Sequence, residues 1–134
     1  MKQIEHIGIA VRQLQEAIPL FEKLLASPCY KQESVPQEKV TTAFFKTGNC
    51  KIELLESTDP DSAIGRFLHQ RGEGLHHIAF EVEDLQSEMG RLKNEGFEFV
   101  QESPQPGADN KLVSFLHPKT TGRVLIELCM EIPK

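Results

Sequence analysis

The 134-residue chain reads as one unit written twice. The segment IEHIGIAVRQLQEA, Ile4 to Ala17, lies over LHHIAFEVEDLQSE, Leu75 to Glu88, at a constant offset of 71 residues. His6 falls on His77, Ile7 on Ile78, Val11 on Val82, Leu14 on Leu85 and Gln15 on Gln86. Each copy is a short alternating run followed by a helical pattern. Each then closes with a second matching piece, AFFKTGNCKIELLE in the first copy and SFLHPKTTGRVLIELCM in the second. A glycine stands five residues before a glutamate in both, Gly48 before Glu53 and Gly122 before Glu127. Strand, turn and strand fit these letters, with a longer turn, HPKTTG, in the second copy.

The expected architecture is therefore α+β, two tandem βαβββ units. One domain is expected over residues 1–134, with repeat units over about 1–70 and 71–134. A unit of about 70 residues is marginal alone, so the two are expected to share a core. The first helix is expected from about Gln15 to Ala26, with Leu14, Ile18, Phe21, Leu24 and Leu25 on its apolar stripe. Pro19 is tolerable there only in a first turn. Asp84 reads as the N-cap of the second helix, Leu85, Met89 and Leu92 as its stripe, and Gly96 as its stop. A short extra helix is expected after TDPDS, burying Ile64, Phe67 and Leu68.

Composition narrows the function classes. The chain is 39% hydrophobic and 26% charged, as in one soluble globular domain. Its net charge of −5 gives no electrostatic footprint for nucleic acid. No apolar run approaches the about 20 residues of a membrane span, and the start, MKQIEHIGIAV, has no secretory pattern. Cys29, Cys50 and Cys129 are odd in number and form no CxxC, as in a cytoplasmic protein with reduced thiols.

Strand alternation assigns the chemistry to one face. In the first strand Ile7, Ile9 and Val11 share one side, and His6, Gly8 and Ala10 the other. In its repeat Ile78, Phe80 and Val82 oppose His77, Ala79 and Glu81. His76 falls on the helix side, so His77 is the preferred ligand. In the closing strands Ile52 and Leu54 oppose Glu53, and Val124, Ile126 and Leu128 oppose Glu127. A carboxylate among apolar neighbours such as Leu125 and Cys129 is costly to bury without a partner. Two imidazoles and two carboxylates, one pair per repeat, suit a divalent Co, Ni, Mn, Fe or Zn ion with positions open for a substrate.

Paired βαβββ units with His on the first strand and Glu on the last resemble the vicinal oxygen chelate superfamily. The stretches HIGIAV, KIELLE, SAIGRFLHQRGEGLHHIAFEV and FLHPKTTGRVLIEL resemble its methylmalonyl-CoA epimerase family, over nearly the whole chain. The resemblance implies curved mixed sheets around a metal site, usually in a homodimer. It implies a divalent metal, Co²⁺ by expectation, held by His6, Glu53, His77 and Glu127, with Gln an alternative at the second position. It implies interconversion of (2R)- and (2S)-methylmalonyl-CoA through a metal-stabilised enolate, with Glu127 both ligand and base. The chain departs from some members at Thr42, where they carry Glu. Glu56 and Glu38 are then alternative sources of a second base. His117, Lys119 and Lys111 are possible substrate contacts. Arg66 and Arg71 are possible partners of CoA phosphates, though nothing in their spacing selects them. Rival activities within the fold are a glyoxalase I-type lyase, a non-catalytic binding or resistance protein, and an extradiol dioxygenase. The turn HPKTTG and the retention of all four ligand types favour the epimerase.

Overall fold

The structure is a computed structural model that describes residues 1–133. Its elements run β1 (Gln3–Ala10), α1 (Leu14–Leu25), β2 (Lys31–Val35), β3 (Val40–Thr47), β4 (Cys50–Ser57) and α2 (Ala63–Arg71). They continue with β5 (Gly74–Glu81), α3 (Leu85–Asn94), β6 (Gln105–Pro106), β7 (Lys111–Phe115), a 3₁₀ turn (Pro118–Thr120) and β8 (Ile126–Glu131). The backbone divides into two compact units. One is His6–His76, and the other joins Met1–Glu5 to the chain from His77 onward.

In the first unit the strand order is β2-β3-β4-β1. The hairpin pairs β2–β3 and β3–β4 are antiparallel, and β1 lies parallel to β4. A parallel pair needs a long crossover, which α1 and the hairpin strands supply. One face of this sheet packs on α1: Val11, Leu14, Ala17, Ala43, Phe45 and Leu54 are buried, with Ile9, Ile18, Phe21, Leu25 and Ile52 against them. Leu24, expected on that stripe, is 70% exposed, and Ala17 takes the buried place beside Ile18 and Phe21. Pro19 lies past the first turn, at the sixth helical residue. There it deprives the Gln15 carbonyl of its helical N–H, and because Pro19 is on the exposed side, water can replace that bond.

The opening residues of β1 belong to the second unit, where the order is β1-β5-β8-β7-β6. Here β5 is parallel to β8, and β8 antiparallel to β7. Val82, Leu85, Met89, Leu92, Leu116 and Leu128 form the buried core under α3, joined by Phe80, Phe97, Phe99 and Ile126. Asp84 caps α3 by accepting the Ser87 N–H at 3.0 Å. The helix ends at Asn94, and Gly96 turns the chain at φ +97°.

Helix α1 starts on Gln13, which makes no side-chain cap. The carboxylate of Glu56 on β4 does that work instead, accepting the Leu14 N–H at 2.6 Å. In α2 the cap is Ser62, whose hydroxyl accepts the Gly65 N–H at 3.0 Å. This cap draws Gly65 so close to the preceding turn that an added Cβ would meet the Pro60 carbonyl oxygen at 2.5 Å. Gly65→Ala is expected to lower stability by about 1–3 kcal/mol in urea unfolding, whereas a neutral effect would mean that the turn at Pro60 yields freely.

Candidate metal centre

Both units build the same local arrangement. In the first, Gly8 of β1 is registered opposite Glu53 of β4. In the second, Ala79 of β5 is opposite Glu127 of β8. The histidine stands two residues earlier on its strand in each case, so it shares a face with the glutamate and meets it diagonally. His6 Nε2 lies 3.4 Å from Glu53 Oε1, and His77 Nε2 lies 3.1 Å from Glu127 Oε1. All four side chains are buried, at 4–6% exposure. Among the described residues, His6 of the first unit and His77 and Glu127 of the second carry buried donor atoms of the kind that hold a metal ion.

The separation within each pair fits a bound cation. Metal–donor bonds of about 2.1 Å at right angles put two donor atoms about 3 Å apart, close to the His–Glu distances of 3.1 and 3.4 Å. Neutral imidazole with carboxylate is the donor set of Co, Ni, Mn, Fe or Zn sites. A cation would add a further charged partner to carboxylates whose burial is costly. Cys129 lies two residues beyond Glu127 on the same strand and is fully buried. Burial, followed by the nearby charge of Glu127, pushes its thiol well above the ordinary range. It therefore stays a thiol rather than a thiolate ligand.

Two aromatic residues escaped the sequence reading. Phe44 is registered opposite Glu53, and Phe115 opposite Glu127. The His77 ring meets Phe115 edge to face, with centroids 5.8 Å apart. Phe44 is almost wholly buried. Each carboxylate thus has an aromatic neighbour on one side and a histidine on the other, which lowers the local dielectric. The signal was present: Phe44 and Phe115 are 71 residues apart, the offset that relates His6 to His77.

The other expected residues fall elsewhere. His76 packs edge to face on Phe67, centroids 5.0 Å apart. Thr42 is buried opposite Leu55, on the face of Glu53, and its hydroxyl donates to the Glu33 carbonyl at 3.3 Å. Glu56 alternates onto the α1 side, where it caps the helix. Glu38 is exposed in the β2–β3 turn. The carboxylate that shares Thr42's row is Glu33, registered opposite it on β2. His117 Nδ1 accepts the Lys119 N–H at 3.3 Å and so caps its own 3₁₀ turn. Lys119 pairs with Glu98 at 3.1 Å and the buried Lys111 with Glu131 at 3.4 Å. Arg71 stacks on Phe67 at 5.7 Å.

The same arrangement has relatives. A model of the Glyoxalase/Bleomycin resistance protein/Dioxygenase superfamily matches residues 5–115. The chain belongs to this superfamily. It is 36% identical over 128 residues to the ethylmalonyl-CoA/methylmalonyl-CoA epimerase of Cereibacter sphaeroides, covering 94% of this chain and 96% of that one. Its fold matches the crystal structure of methylmalonyl-CoA epimerase from Mycobacterium tuberculosis with a TM-score of 0.93 at 32% identity, over 98% of this chain and 89% of that one. It also matches a methylmalonyl-CoA epimerase in complex with methylmalonyl-CoA and NH4⁺, with a TM-score of 0.91 at 30% identity, covering 98% and 95% of the two chains. No described helix is long and apolar enough to cross a membrane.

An imidazole ligates only in its neutral form and a carboxylate only when ionised. Acidifying the solution is therefore expected to release a divalent cation from this superfamily member. A competition titration with Co²⁺ at pH 8 and pH 5.5 should show at least tenfold weaker binding at the lower value. Equal affinity at both would exclude the histidines as ligands.

Proposed function

We propose that the protein is a metal-dependent methylmalonyl-CoA epimerase, interconverting the (2R) and (2S) forms of its acyl-CoA substrate. The observation that carries this reading is the buried histidine–glutamate pair that each unit presents, His6 with Glu53 and His77 with Glu127. Its support is the similarity, over nearly the whole chain, to proteins named for that reaction. His6, Glu53, His77 and Glu127 would hold the divalent cation, taken as Co²⁺ on the family resemblance. The same resemblance points to a cytoplasmic homodimer.

The substrate carries a thioester carbonyl and a carboxylate on one carbon, so the proton between them is acidic but still needs help to leave. A divalent cation held by the four residues would supply Lewis acidity to the acyl group, worth roughly several kcal/mol of barrier. The residues of the chain do the rest. Glu127 presents a carboxylate in a dry setting, between the His77 imidazole and the Phe115 ring. In this reading its carboxylate takes the α-proton and leaves the enolate of the acyl group. Phe44 and Phe115 exclude water from the two carboxylates and so prolong the enolate against uncontrolled protonation. Inversion requires a proton to return on the opposite face. Thr42 has no group that ionises at neutral pH, and Glu33 is the carboxylate in its row.

The test is solvent exchange. In heavy water, methylmalonyl-CoA should gain deuterium at its α-carbon in the presence of the metal-loaded protein. Absence of label, with the metal bound, would remove the epimerase reading. Glu127→Gln keeps the size and the burial of the side chain but not its basicity. It is expected to lower the exchange rate by about 10²–10⁴-fold with an unchanged circular dichroism spectrum. A rate within a factor of three of the parent would exclude Glu127 as the base.

A further inference from the structure

Helices α1 and α3 each begin under an acceptor supplied by the closing strand of their own unit. In the first unit the acceptor is the Glu56 carboxylate, which takes the Leu14 N–H at 2.6 Å. In the second it is a thioether: Met130 Sδ accepts the Leu85 N–H at 3.3 Å. The two positions correspond. Glu56 stands three residues after Glu53 on β4, and Met130 three residues after Glu127 on β8. Leu14 and Leu85 are related by the repeat offset of 71 residues, and each is the first residue of its helix. The same backbone donor therefore meets a charged acceptor in one copy and a weak one in the other.

The chemistry of a thioether makes that difference reversible. When a peroxide oxidises it, a sulfur lone pair attacks one peroxide oxygen and the O–O bond breaks as the S–O bond forms. The departing hydroxide takes up a proton and leaves as water. Sulfur gives up two electrons, and the side chain gains one oxygen and no net charge. The product has the shape of a glutamate. Both carry two heavy-atom branches on the third side-chain atom: two oxygens in glutamate, an oxygen and a methyl in the sulfoxide. Oxidation of a packed methionine ordinarily disrupts a core, because the new dipole finds no donor there. At Met130 a donor is already in place, at the open end of α3.

Access separates the three methionines. Met1 is 53% exposed and Met89 1%. Met130 is half-buried, at the edge of the core cluster under α3. We propose that Met130 is a site of reversible oxidation by peroxide, and that its sulfoxide oxygen caps α3 as the Glu56 carboxylate caps α1. Oxidant is consumed there without loss of the unit that carries His77 and Glu127. A methionine sulfoxide reductase restores the thioether.

Hydrogen peroxide treatment of the whole protein, followed by peptide mass spectrometry and amide exchange by NMR, tests this. Met1 and Met130 should each gain one oxygen while Met89 stays unmodified. The Leu85 amide should then exchange on the order of fivefold more slowly, the effect of one stronger hydrogen bond. Met1 is oxidised in the same treatment, so Met130→Gln serves as the control. Its amide oxygen permanently occupies the place of the sulfoxide oxygen. It should show slow Leu85 exchange before peroxide and no change after it. Met130→Leu, of similar volume but with no acceptor, should exchange faster at Leu85 than the parent. The proposal is overturned if Met130 resists peroxide as Met89 does, or if oxidation leaves Leu85 exchange unchanged or speeds it. It is also overturned if peroxide lowers the melting temperature of the parent by more than it lowers that of Met130→Gln.

Discussion

A carboxylate and an imidazole, held out of water on neighbouring parallel strands two residues out of step, form the contact on which the structure depends. It occurs twice, as His6 with Glu53 and as His77 with Glu127. Parallel pairing is what brings it about, since β1 and β4, like β5 and β8, run side by side in the same direction. Parallel neighbours cannot be joined by a tight turn. The helix and the hairpin strands between them in each unit follow from that need, and the helix then covers the opposite face of the sheet. The βαβββ unit is in this sense the shortest device that sets a histidine from its first strand beside a glutamate from its last.

Division of labour between the two faces follows. The helix side holds the apolar packing, with Phe45 and Leu54 against α1 and Leu128 against Met89 of α3. The other side holds buried polar groups that apolar packing alone could not stabilise: His6, Thr42, Glu53, His77, Lys111 and Glu127. Buried charges are destabilising unless each has a partner. Glu56 shows how strictly alternation enforces the division. It is three residues from Glu53 on the same strand, yet it turns to the helix side and satisfies an N–H at the start of α1.

Much of this was legible in the sequence because strand alternation has a period of two and the repeat has a fixed offset. Those two regularities place His6, His77, Glu53 and Glu127 on the non-helix face without coordinates. The same offset linked Phe44 to Phe115, but aromatic residues in a strand read as core until the register sets them opposite the glutamates. Helix periodicity misled at Leu24, which lies at the edge of the apolar stripe and faces water, while the smaller Ala17 is buried. The turn HPKTTG read as a hairpin turn, and its His117 caps the 3₁₀ turn it begins.

The central claim is that the two repeats grip one cation jointly. Anomalous diffraction from crystals grown with Co²⁺ at neutral pH tests it most directly. The account predicts one strong cobalt peak per chain, about 2.0–2.3 Å from nitrogen atoms of His6 and His77 and from an oxygen of Glu127. A cobalt-loaded crystal with no peak at these residues, or with separate peaks at the His6–Glu53 and His77–Glu127 pairs, would contradict it.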